Sequence, residues 1–457
     1  MIWLLTGILL AMYSYICWRS VRNGLLVLIG ALPLYLIKLN FFSIPTTMLE
    51  LMIGVVFVFW VTRELGNTRK PSTSLRAAAK QPFRLSSVSN NRFDLALLGT
   101  VLLVIGAILG LSQTSDLASS LNAMKSFLIE PILVGAMIFS VESRSKKIKL
   151  NDWMFALAVP MSILSLYAIF QWFTGFGIPD AWFLERRVTS FFPYPNALGH
   201  FVAPIVTLMI VWFMQRGVRR LGVRDIVLLS TIPLGLIALF LSQTEAAWVA
   251  ITATVVIAGI VINKHRKAWI AIALLGALFA VAVPQARHKL MLNDWSGQTR
   301  TAQWEETENF LSNSHQNFFL GAGPNNYPTA IAPYHTHEHL EIFQQPHNIF
   351  LNIWVEYGLL GLTGFLILTS AIFSTSLRTG VKQPFRLSDV GNIGSTSNPA
   401  TLAITAALLE MSIHGLVDVP YFKNDLSVLI WALVALMLLS SYDTNQCTES
   451  PTCFTGR

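Results

Sequence analysis

The chain has 457 residues, of which 53% are hydrophobic and only 12% charged, with a net charge of +8. So little charge on so much apolar chain excludes a soluble globular protein of this size and points to a polytopic membrane protein. The Lys and Arg residues sit in short clusters between apolar runs and form no periodic basic face, which excludes nucleic acid as a partner and reads as membrane topology.

A bilayer core takes roughly 20 apolar residues per helix. Runs near that length predict thirteen spans, at about 2–17, 24–38, 47–62, 94–112, 126–142, 153–173, 198–215, 225–242, 247–263, 268–284, 348–376, 400–418 and 425–441. The first is short, so twelve is the other count, and the expected fold class is an all-α polytopic membrane protein with about 12–13 transmembrane helices. Arg19 and Arg22 follow the first apolar run instead of preceding it, so that run reads as a retained helix and not a signal peptide.

Every second loop is basic, the richest being 63–93, which belongs with the others in the cytoplasm. The intervening loops are poor in positive charge. The longest, 285–347, holds only Arg287, Lys289 and Arg300, and is therefore external. The expected division is 1–284 for transmembrane helices 1–10 with short loops, 285–347 for the external loop, 348–441 for the C-terminal transmembrane helices and 442–457 for a cytoplasmic tail. Cys17, Cys447 and Cys453 have no metal-type spacing, and the last two would face a reducing cytoplasm. The stretch Lys80 to Ser86 recurs at Lys382 to Ser388 without matching helices around it, and reads as a bland insertion.

Three external segments concentrate Arg, His, Asn and aromatic residues. In the first, Arg186 and Arg187 precede Asn196 at the start of a helix, where guanidinium groups and free N–H groups favour an anion, although an interfacial anchor would look the same. The second places Arg300 and Trp304 on a helix of about 300–312, followed by a Gly321–Tyr327 turn. The third holds His335, His337 and His339, either a solvated loop or a zinc or copper ligand set, and then His347 and Asn348 at the mouth of a helix. An imidazole titrates near neutrality, so His347 is a candidate base; a helix cap is the other reading.

These residues resemble the O-antigen ligase and polymerase superfamily of bacterial envelope glycosyltransferases. The likeness rests on Arg187 through Gly199, Arg300 with Trp304, Gly321-x-Gly323-Pro324-x-Asn326-Tyr327, His347-Asn348-x-x-Leu351 through Glu356-x-Gly358-x-x-Gly361-Leu362, and His414 through Pro420. The resemblance implies an inner-membrane enzyme with a periplasmic active face and a periplasmic 285–347 loop. Its donor would be an undecaprenyl-diphosphate-linked glycan, its acceptor a lipid, glycan or protein hydroxyl, and its surroundings membrane lipids. It implies inverting chemistry without a metal or other cofactor, with Arg187, Arg300 and His347 catalytic and Arg186, Asn196, Asn348 and Glu356 binding substrate. Glu245 departs from the pattern, standing where relatives carry an arginine. The competing readings are a secondary transporter of a small anion, which favours midplane ionisable residues, and a non-catalytic scaffold for polysaccharide assembly.

Overall fold

A computed structural model describes residues 2–41, 44–68, 91–144, 149–216, 221–263, 265–337, 340–379 and 398–449. Both copies of the heptapeptide repeat, His339 and Cys453 lie outside the described residues. Among the described residues, apart from one antiparallel hairpin, Lys38–Phe41 with Ile44–Thr47, the regular structure is helical, so the fold is all-α. Each of the thirteen expected spans falls on helix. Among the described residues, seven helices are long and apolar enough to cross a membrane: Arg92–Gln113, Leu117–Glu142, Leu150–Thr174, Pro195–Arg216, Val223–Ser242, Glu245–Ile262 and Ile349–Ser374. An eighth follows if Arg266–Ala282 and Pro284–Ser312, which meet at a 94° bend, make one span. Three of the other expected spans fall short for physical reasons. The helix Val21–Gly30 stops after 10 residues, Pro399–His414 has 16, and Met48–Thr68 carries Glu50, Arg63 and Glu64. The last helix, Asn424–Glu449, runs beyond the expected boundary at 441.

Lipid exposure explains the surface. The helix Arg266–Ala282 has no buried residue, and Leu274 and Phe279 stand more than half exposed, as side chains facing acyl chains do. The helix Pro195–Arg216 is the opposite case: it is enclosed from Ala197 to Met209 and packs against Pro399–His414, Val223–Ser242 and Glu245–Ile262. Glycines bring the helices Asn91–Gly110 and Ile349–Thr379 together. A Cβ on Gly106 would lie 2.5 Å from the Gly361 nitrogen, and one on Gly99 would lie 2.7 Å from the Gly364 oxygen. Small residues that admit close backbone contact are a common basis for helix association in lipid. Gly358 interrupts the Ile349–Thr379 helix with φ 67° and ψ −179°, where a Cβ would meet the Phe319 oxygen at 2.3 Å.

The loops segregate as the charge alternation requires. At one end Arg22 pairs with Glu142 at 2.6 Å and Asp152 at 3.0 Å, Arg216 pairs with Asp225 at 2.9 Å, Arg63 donates to the Trp18 oxygen, and Gln215 donates to the Pro399 oxygen at 3.1 Å. At the other end Lys125 and Asn424 both reach Glu50, and Ser115 donates to Asn326 at 2.7 Å. The 285–347 segment sits at this second end and is folded. Asp294 caps Trp295–Ser312 by accepting from the Gly297 N–H at 3.1 Å. Phe310, Leu311, Ala322, Tyr327, Ile331 and Val355 give the segment a small apolar core of its own.

Candidate functional site

The short stretch Gly415 to Asp418, just past the helix Pro399–His414, is where three distant parts of the chain dock. The Gly415 oxygen accepts from the Ile349 N–H at 2.8 Å, the Leu416 oxygen from Asn348 Nδ2 at 3.1 Å, and the Val417 oxygen from Arg300 Nε at 2.6 Å. Asp418 Oδ2 accepts from Asn196 Nδ2 at 3.1 Å, while its Oδ1 accepts from the Val419 N–H at 2.9 Å. Asn196 in turn accepts from a terminal nitrogen of Arg187 at 3.3 Å. Arg187, Arg300 and His347 are thus gathered at one end of the bundle.

The two arginines are held alike. Each spends Nε on a backbone oxygen, Arg187 on Ser242 at 3.2 Å and Arg300 on Val417, which fixes the guanidinium plane, and a terminal nitrogen of Arg300 also donates to the Ser296 oxygen at 3.2 Å. The Arg187 guanidinium also lies over the Trp182 ring, 4.9 Å from its centre. Burial pulls the Arg187 pKa down, against the charges of Glu185 and Glu245, yet arginine stays cationic at any physiological pH. Arg186 diverges from its neighbour, with φ 53°, and donates to the Trp172 oxygen at 3.3 Å beside the Phe183 ring.

His347 has φ 49°, a left-handed conformation uncommon outside glycine, and Nδ1 lies 3.1 Å from Gln303 Oε1. Trp304 Nε1 donates to the Pro346 oxygen at 2.8 Å, so one face of the Trp295–Ser312 helix clamps the approach to His347. Burial lowers the His347 pKa below its ordinary value; Asp418 opposes this and the Arg300 charge reinforces it. Asp418 is pushed up by burial, but the surrounding histidines hold it well below the usual carboxylate range. Asn348 caps the helix Ile349–Thr379, its Oδ1 accepting from the Phe350 and Leu351 N–H groups at 3.0 and 3.1 Å. The cap reading for this end of the loop therefore belongs to Asn348, which leaves the His347 ring available for other work.

Glu356 lies further along the same helix and is buried; it accepts from the Asn325 N–H at 3.3 Å and so ties the Gly321–Asn326 turn to the helix. Glu245, at the start of Glu245–Ile262, pairs with Lys289. His335 and His337 converge on one carboxylate: their Nδ1 atoms lie 3.2 Å from Glu306, which also accepts from the Thr336 N–H. Two residues that the sequence reading left out of the site, Asp418 and Gln303, prove central to its geometry. Asp418 stands in the His414–Pro420 stretch on which the resemblance partly rests; Gln303 carried no signal beyond its place one turn after Arg300.

An all-α bundle with long apolar helices, and with Arg187, Arg300 and His347 gathered at one end, defines a polytopic membrane protein with a polar cluster at that end. Residues 226–366 match the family model described as O-antigen ligase. Over that stretch, less than half of its length, the chain is similar to the O-antigen ligase family, which supports ligase-like glycan transfer in general terms. No curated protein matches it.

Proposed function

We propose that the chain transfers or polymerises a glycan from an undecaprenyl-diphosphate donor at the periplasmic face of the bacterial inner membrane. The docking of Arg187, Arg300 and the His347–Asn348 corner on Gly415–Asp418 supports this most. The arginines bind the diphosphate, whose departure develops negative charge that fixed guanidinium donors stabilise in a site poor in water. With Gln303 Oε1 accepting from Nδ1–H, His347 presents its Nε2 lone pair. That nitrogen takes the acceptor hydroxyl proton as the new C–O bond forms on the face of the sugar opposite the breaking C–O bond, giving inversion. The undecaprenyl diphosphate leaves without needing a proton. Arg186, Asn196, Asn348 and Glu356 complete the substrate-binding set, Asn196 by orienting Arg187 and Asn348 by fixing the corner that carries His347.

The test is reconstitution. Purified chain, lipid-linked glycan and acceptor should release undecaprenyl diphosphate only when the acceptor is present. Glycan analysis of a deletion strain then separates the acceptor classes: shorter polymer for a polymerase, unattached polymer for a ligase, and unglycosylated protein for a protein transferase. Intact glycans in all three classes, together with no release in vitro, would refute the proposal.

A further inference from the structure

Behind Gly415–Asp418 lies a cluster of which the transfer site uses Asp418 alone. His200 stands on the Pro195–Arg216 helix, one turn after Asn196. His414 ends the Pro399–His414 helix, with Glu410 one turn before it, and Asp418 closes the group from the loop. His200 Nε2 lies 3.2 Å from Asp418 Oδ2, the two imidazole rings meet edge to face with centres 4.6 Å apart, and His414 Nδ1 lies 3.4 Å from Glu410 Oε1. All four residues are buried, none more than 6% exposed. Among the described residues, no ring nitrogen of His200 or His414 and no oxygen of Glu410 makes a well-directed hydrogen bond, so the short contacts are matters of distance and not of alignment.

Buried polar atoms are almost always satisfied, and a group of them without partners calls for an explanation. Two imidazoles and two carboxylates, closed off from solvent, are a donor set whose charge a divalent cation offsets. One nitrogen of each histidine and one Asp418 oxygen lie within 4.8 Å of one another. Zinc–ligand bonds of about 2.0–2.2 Å put adjacent donors in a tetrahedral site roughly 3.3 Å apart, so the three need to close by no more than about 1.5 Å. Two nitrogens and one oxygen suit zinc and its neighbours in the transition series, whereas calcium and magnesium prefer oxygen alone. Glu410 supplies the carboxylate that metal-bound histidines commonly carry on the opposite ring nitrogen.

We propose that His200, His414 and Asp418 form a buried structural site for one divalent transition-metal ion of the zinc type, with Glu410 orienting His414. The ion would fix Asp418, and through Asn196 the Arg187 guanidinium, without touching the reacting atoms. The proposal stands apart from the glycan-transfer reading, because metal content decides it. Full-length chain purified in detergent should contain close to one zinc per chain. Cobalt(II) added to chelator-treated protein should give the visible absorption of a tetrahedral site. His200→Gln and His414→Gln should each abolish stoichiometric binding, while the double change His335→Ala with His337→Ala keeps it. Chelation should lower the wild-type melting temperature and zinc should restore it, a readout that does not depend on any variant folding. Folded wild-type chain that takes up neither zinc nor cobalt at micromolar free metal overturns the site. So does binding that survives both glutamine changes or disappears with the outer histidines.

Discussion

Arg300 Nε donates to the backbone oxygen of Val417 at 2.6 Å, although the two residues are 117 apart in sequence. The bond fixes the guanidinium plane, so under the proposed function the guanidinium is set before a diphosphate arrives. Lysine keeps the charge and loses both the anchor and the fork. Arg300→Lys should therefore lower kcat/KM on the order of tenfold or more. Steady-state rates with lipid-linked glycan check this, and near-wild-type kinetics would remove Arg300 from the donor site.

His347→Ala should reduce turnover far more than donor binding, because a base acts only as the proton moves. Equilibrium binding of the donor beside single-turnover rates separates the two. A variant that folds in the membrane and turns over normally would end the role given to His347.

The pH profile follows from the same residue. Burial and the Arg300 charge favour neutral imidazole and outweigh Asp418, so His347 holds a proton less readily than a free histidine. A general base works unprotonated. Activity should rise with pH through a limb centred below the ordinary histidine value of about 6.5. A His347-dependent limb centred above that value would contradict the assignment.

The outer histidines should be dispensable for transfer. His335, His337 and His339 changed together to Ala should leave the rate within a few fold, since the proposed chemistry needs no metal and His335 and His337 both turn to Glu306. Glu306 would then lose both of its imidazole partners, and leaving a buried acceptor short of donors costs about 1–3 kcal/mol. A lower melting temperature with nearly unchanged rate is the expected pair of results. Abolished activity restored by divalent metal would show these histidines to be catalytic ligands.

Topology can be read by labelling. With Cys17, Cys447 and Cys453 replaced by Ala, a single cysteine at exposed Ser312 should react with an impermeant reagent in cells with a permeabilised outer membrane, and one at exposed Ser143 should not. The reverse pattern would invert the orientation drawn from the charge alternation.

The helices were legible because bilayer-length apolar runs and alternating charge leave a long-range trace in sequence, and loops grouped by charge do meet at common ends of the bundle. Lengths were less legible. The turn after Gly30 and the charges Glu50, Arg63 and Glu64 limit spans that hydropathy alone would extend. The folded state of 285–347 was mostly hidden, since its core borrows Val355 from a membrane helix. Arg187, Arg300 and His347 stood out as scarce polar residues at helix ends. Asp418 did not, because its partner Asn196 lies 222 residues away and only folding joins them.

The docking stretch speaks mainly through main-chain oxygens, and every amino acid offers the same oxygen. Leu416 points half outward, and its identity should matter little; the same holds for Val417, whereas Gly415 has Ile349 only 2.8 Å from where a Cβ would stand. What this stretch encodes is spacing. Substitution scans across 416–417 should look silent, while one residue inserted between Gly415 and Asp418 would offer each visiting segment the wrong neighbour. A position that tolerates every replacement can still be one where the chain cannot change its length.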